Sequence, residues 1–249
     1  MINLIACSNI GQNKIYIESS MYDFKTSIWK PKENIEAIII AIHGYNDYSN
    51  SFDIPANQFK SFKIATFSYD LRGFGRNKDR GNWFPLETHV SDVNFFVKKI
   101  KEENPSIKIF LLGESMGAAI VLSAVSEIKE TIDGIILVAP AIWNFSEKNP
   151  LKKFFLSISS NVFPELKLDG SNFIKVRASN NTEVLKKLAE DQFFIHKPNL
   201  KSLNGIVTLM DKSYKYAKHY IDKPKYQTLI MVPIKDEIIP RKPLAEILL

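Results

Sequence analysis

Gly113-Glu114-Ser115-Met116-Gly117 is the stretch of this sequence best suited to chemistry. A serine flanked two positions away on each side by glycine can occupy a very sharp turn, because glycine lets strand and helix backbones pass without a Cβ clash. The apolar run "IFLLG" before it predicts a strand, and "AAIVLSAVSEI" after it predicts a helix. That is the context a nucleophile elbow requires: a hydroxyl lifted above a sheet, at a helix N-terminus whose field favours developing negative charge. The chemistry would be acyl transfer, which also needs oxyanion donors and a general base. One donor is the N–H of Met116, directly after the serine. The second comes from "AIHGYNDYSNSF", where His43-Gly44 closes an apolar strand and the N–H of Tyr45 follows. His43 would shape that loop by bonding its backbone. Near the end of the sequence, Thr228 to Val232 is an apolar run that leads to Asp236-Glu237, a strand that delivers a carboxylate to a site.

These residues need a scaffold. "IEAIIIAIHG" (35–44) is almost wholly apolar and β-branched, which suits a strand buried on both faces of a parallel sheet. "KIATFSYD" (63–70), "IKIFLLG" (107–113), "GIILVAP" (134–140) and "YQTLIMV" (226–232) read as further strands. In "ETHVSDVNFFVKKIKEEN", Val90, Val93, Val97 and Ile100 form one helical stripe. Strands alternating with helices predict an α/β fold with a mainly parallel sheet. Residues 141–222 break the alternation with aromatic-rich helical pieces and no buried strand. They read as a helical cap inserted into a core made of 1–140 and 223–249. The cap is either a lid over the site or extra helices that cover the core.

With 45% hydrophobic and 24% charged residues, composition is that of an ordinary globular chain. The net charge of +6 is spread over scattered lysines that read as solvated helix faces, compatible with weak attraction to anionic membrane surfaces. No basic-aromatic groove, zinc spacing or P-loop is present, which argues against nucleic-acid partners, a metal or a cofactor. No stretch is long and apolar enough to span a bilayer. As written the chain reads as cytoplasmic. The alternative is a membrane-anchored lipoprotein: "LIAC", ending at Cys7, resembles the tail of a lipoprotein signal, although only six residues precede it.

Five pieces, in order, resemble the α/β-hydrolase superfamily, and within it the monoacylglycerol lipase and lysophospholipase-like group of serine aminopeptidase type. They are "HGYNDYS", "DLRGFGRN", "GESMG", "LVAPAIW" and "KDEIIP". The resemblance implies that Ser115 is the nucleophile, that Asp236 is the triad acid, and that Tyr45 and Met116 give the oxyanion amides. Gly44, Gly113 and Gly117 support the motifs, and Asp70-x-Arg72-Gly73 is a structural loop. Trp143, Phe154, Phe155 and Phe163 belong to the cap, as acyl-chain contacts or as cap core. The implied substrate is a monoacyl lipid, a lysophospholipid or another carboxylic ester, with amide hydrolysis on the same fold as the alternative. No cofactor is implied.

The same resemblance places the triad histidine after the acid. Here His43, His89, His196 and His219 all precede Asp236. The last strand, the histidine loop and the closing helix of such a fold are expected to be missing. Three readings follow: a truncated reading frame, a split gene whose C-terminal fragment is a separate chain, or a non-catalytic relic that binds an acyl ligand. Without a base a serine hydroxyl is a poor nucleophile, and oxyanion hole and binding alone leave about 10³–10⁴-fold over water.

Overall fold

The computed structural model describes residues 18–19, 22–32, 34–168, 181–236 and 238–248. Cys7 lies outside them. A two-residue pair of strands, β1 (Glu18–Ser19) and β2 (Tyr22–Asp23), precedes the main sheet. The sheet comprises β3 (Thr26–Trp29), β4 (Ala37–Ile42), β5 (Ile64–Tyr69), β6 (Lys108–Glu114), β7 (Gly134–Val138) and β8 (Thr228–Met231), in the order β3-β5-β4-β6-β7-β8. Only β3 runs antiparallel, against β5; the other neighbours are parallel.

Side chains alternate between faces along each strand, so β4 feeds two cores. Ile38, Ile40 and Ile42 enter the main core with α2 (Leu86–Glu103) and α3 (Met116–Ala124). The predicted stripe Val90, Val93, Val97 and Ile100 is buried there. Ile39 and Ala41 face the other way, into a smaller cluster with Leu112 and Phe52, beside α1 (Asp53–Lys60). That second face loses its cover toward β8. Leu229 and Met231 pair with Ile136 and Val138 of β7 and are 54% and 51% exposed. Among the described residues β8 is an unpaired edge, the kind of edge that natural sheets usually shorten, charge or cover. A short helix, α8 (Arg241–Leu248), follows it.

Between β7 and β8 lie α4 (Phe145–Lys148), α5 (Pro150–Val162), α6 (Thr182–Glu190) and α7 (Leu200–Asp222). α7 belongs to this stretch between β7 and β8 and also to the main core. Leu209, Met210, Tyr214 and Ala217 are buried in the main core, and Ser213 bonds toward α3 through the Ala119 carbonyl and Ser123. α5 buries only its α7 side, through Leu156 and Ser160. Its apolar stripe, Leu151, Phe154, Phe155, Ile158 and Val162, is 45–72% exposed. Reading Phe154, Phe155 and Phe163 as cap core is therefore corrected: nothing among the described residues covers them. Trp143 alone of those four aromatics is partly buried, edge-on to Phe145. No described helix is long and apolar enough to cross a membrane.

Candidate active site

Ser115 is the single residue between the end of β6 and the start of α3, and its backbone is forced into the left-handed region at φ 52°. A non-glycine residue there is strained and stays only where its surroundings hold it. Here they do. Ser115 N–H donates to the Val138 carbonyl at 2.9 Å. Its own carbonyl accepts from Ala118 at 3.1 Å, Ala119 at 3.2 Å and Ala141 at 3.0 Å. The glycines make room for the turn. A Cβ on Gly113 would lie 2.4 Å from the Ala118 Cα, and one on Gly117 would lie 2.0 Å from the Ile42 carbonyl oxygen. A second strained residue, Ala139 at φ 45°, sits beside the same turn at the end of β7.

The loop after β4 packs directly on the serine. A Cβ on Gly44 would come within 3.5 Å of the Ser115 Cβ. His43 locks this loop: its Nε2 accepts from the Leu71 N–H at 2.9 Å, and its Nδ1 donates to the Gly44 carbonyl at 2.8 Å. Burial pushes its pKa down to about 4, so it is neutral and both nitrogens are engaged. It shapes the loop and is no base. Tyr45 is anchored from its other end, its hydroxyl 2.6 Å from Ser202 Oγ on α7.

Beneath the loop lies a network that sequence reading only half identified. Asp70 Oδ1 accepts from Ser49 N–H and Oγ–H, and Asp70 Oδ2 from the Arg76 N–H and Nε. Arg76 Nη2 adds a bond to Oδ1 at 2.9 Å. The Asp70 side chain is fully buried, and Arg76, not Arg72, is its partner; Arg72 pairs with Asp92 instead. The signal was in "DLRGFGRN", whose second arginine is six residues from Asp70.

Asp236 follows β8, two strands from β6, which leads into Ser115. Its Oδ1 accepts from the Ile238 and Ile239 N–H groups, both at 2.9 Å. It is close enough to Glu114 to raise that carboxyl electrostatically. The histidines do not complete a triad among the described residues. His89 is buried on α2 beside Trp83, and burial first, then the neighbouring His43 and Arg72, lower its pKa to about 3. His196 is exposed and bonds the Asp191 carbonyl, and His219 lies exposed on α7. Glu114 was read only as the variable position of the glycine-serine motif; its carboxyl lies where a Cβ on Gly44 would stand.

The mainly parallel sheet with flanking helices agrees with the comparisons. A family model described as serine aminopeptidase, S33, matches residues 33–248. The chain belongs to this family of α/β-hydrolases. Among curated relatives, it is 29% identical to monoglyceride lipase of Rattus norvegicus over 158 residues, 63% of this chain and 52% of that protein. It is 33% identical to a monoglyceride lipase homolog of Monkeypox virus over 115 residues, 46% of this chain and 42% of that protein. The chain thus spans about half the length of the curated relatives it matches. Among solved structures, a soluble variant of monoglyceride lipase from Saccharomyces cerevisiae in complex with a substrate analog superposes with TM-score 0.75 at 18% identity, covering 98% of this chain and 83% of that one. A Paleococcus ferrophilus monoacylglycerol lipase gives 0.72 at 17%, covering 91% and 83%. Monoglyceride lipases thus recur among both the relatives and the solved structures that the chain resembles.

Proposed function

We propose that the chain hydrolyses carboxylic esters of monoacyl lipids through an acyl-enzyme on Ser115. The observation that carries this reading is the strained serine turn itself, held at φ 52° with the Gly44 loop packed against it. The names of the relatives favour a glycerol ester over an amide. In the reaction, Ser115 Oγ attacks the ester carbonyl carbon while a base takes its proton, and the alcohol leaves carrying that proton. Water then releases the fatty acid. The N–H groups of Tyr45 and Met116 face the developing oxyanion, a contribution worth about 10²–10³-fold per donor in serine hydrolases. Asp236 orients the base. None of the four histidines is placed to be that base, and the bare edge of β8 supports a reading in which a further strand bearing it pairs there.

A fluorophosphonate probe tests the claim. An adduct on Ser115 of the folded protein, absent in Ser115→Ala, is expected. If no adduct forms between pH 6 and 9 on protein whose folding is verified by circular dichroism, this polypeptide is not an enzyme by itself.

The uncovered face of α5 supports a lipid surface as the place of work. Its five apolar side chains recur at helical spacing, Lys148 and Lys152 lie exposed beside them, and the chain carries net charge +6. Apolar burial and attraction to anionic headgroups would then act together. Phe154→Glu with Ile158→Glu should weaken sedimentation with anionic vesicles by about tenfold or more, since each exposed side chain offers roughly 1.5–3 kcal/mol of burial. Unchanged vesicle binding would remove α5 from the membrane contact.

A further inference from the structure

Asp47 and Asp236 lie close enough to Glu114, the residue before Ser115, to raise its carboxyl, and among the described residues no cation offsets them there. Glu114 ends β6 immediately before Ser115 and points to the same face of the sheet as Leu112. Its Oε2 lies 2.3 Å from the position that a Cβ on Gly44 would take, so the carboxyl fills the bare side of that glycine. A Cβ on the same glycine would also come to 3.5 Å from the serine Cβ. Asp47 approaches from the loop after β4 and Asp236 from the segment after β8. The remaining titratable neighbour across Gly44, His43, is neutral. The trio does not form a metal site: among the described residues no three His, Cys, Asp or Glu side chains are placed to hold an ion.

We propose that Glu114 is a positioning residue whose charge state sets whether the site at Ser115 accepts an oxyanion. The inference rests on Ser115 being the nucleophile. Protonated, Glu114 is a neutral wedge that holds the Gly44-Tyr45 backbone against the serine turn. Ionised, it places a negative charge beside the amides that must receive the negative carbonyl oxygen, and a like charge at that range opposes the transition state. Burial first, then Asp47 and Asp236, raise its pKa to about 7, against the opposing pull of the Gly44 N–H. Burial likewise raises Asp47 to about 6, so Glu114 and Asp47 both titrate near neutrality.

The sign follows from linkage. A folded-state pKa above the unfolded value of about 4.3 means that Glu114 supports the fold fully at acid pH, and that this support is lost as pH rises through about 7. Glu114→Gln keeps the shape and removes the ionisation. Two measurements on the full chain decide the matter. The ratio of fluorophosphonate labelling rates, Glu114→Gln over wild type, should climb by about tenfold between pH 5.5 and pH 8.5, a modest figure for a unit charge a few ångströms away. The melting temperature of Glu114→Gln relative to wild type should rise by about 4 °C or more over the same interval. A labelling ratio flat in pH overturns the proposal while leaving Ser115 as nucleophile. A melting difference flat in pH overturns it too, because Glu114 would then not change charge in this range. Absence of labelling in both proteins defeats the nucleophile reading, and this proposal with it.

Discussion

Gly117→Ala should lower the melting temperature by about 6–12 °C, a loss of roughly 3 kcal/mol. Intrinsic propensity argues the other way. Gly117 lies in α3, where alanine is favoured over glycine by about 1 kcal/mol. Crowding decides the sign. The new Cβ would sit 2.0 Å from the Ile42 oxygen, 2.6 Å from the Ile42 carbon and 2.7 Å from the His43 oxygen. All three are backbone atoms at the end of the central strand, with no side chain able to swing away. Relief requires α3 to lift from β4, which also displaces Ser115. Gly81→Ala is the control, because a Cβ there meets nothing within 4 Å and only its φ of +97° is strained. It should cost about 1–3 kcal/mol from backbone conformation alone. Equal urea midpoints for Gly117→Ala and wild type would show that the elbow has more slack than its distances imply.

Asp70→Ala should destabilise the fold by about 3–5 kcal/mol, because it strands a largely buried Arg76 without its counter-ion. It also removes the acceptor for Ser49 N–H and Oγ–H, at the end of the loop that carries Tyr45. Burial raises the Asp70 carboxyl, but Arg76, Ser49 and the Arg76 N–H together outweigh it and hold the group below the ordinary carboxylate range. The folded state therefore releases this proton more readily than the unfolded chain. The stabilisation is present above the unfolded value of about 3.9 and is lost as pH falls through the lower, folded one. Urea titrations at pH 7 and pH 3 check both halves. The gap between wild type and Asp70→Ala should be wide at the first and narrower at the second. A gap unchanged between the two pH values would mean the network acts through shape and not charge.

The parts of this molecule that were legible in its sequence are those encoded by neighbours. The β6-turn-α3 unit is one continuous string, so its glycines and apolar runs predicted the elbow directly. The stripe on α2 and the double-faced β4 followed from period and composition. Features that depend on distant partners were not legible. An apolar stripe such as Leu151-Phe154-Phe155-Ile158 has the same pattern whether another helix covers it or not, so the sequence left the cap aromatics open between acyl-chain contact and cap core. The long helix α7 belongs to two layers because its C-terminal half meets α3, a contact that no spacing within α7 announces. Ser49 closes on Asp70 from a separate loop. Glu114 occupies a position the motif leaves free, and only the approach of the Gly44 loop gives its carboxyl a surrounding.

The backbone at Ser115 has an evolutionary corollary. An L-residue held in left-handed geometry gives up roughly 1–2 kcal/mol that glycine would keep. The same codon thus carries both the serine hydroxyl of the proposed chemistry and a standing liability in the fold. Any lineage in which the hydroxyl went unused could gain stability here by a single replacement, so drift toward robustness at this position runs toward chemical silence.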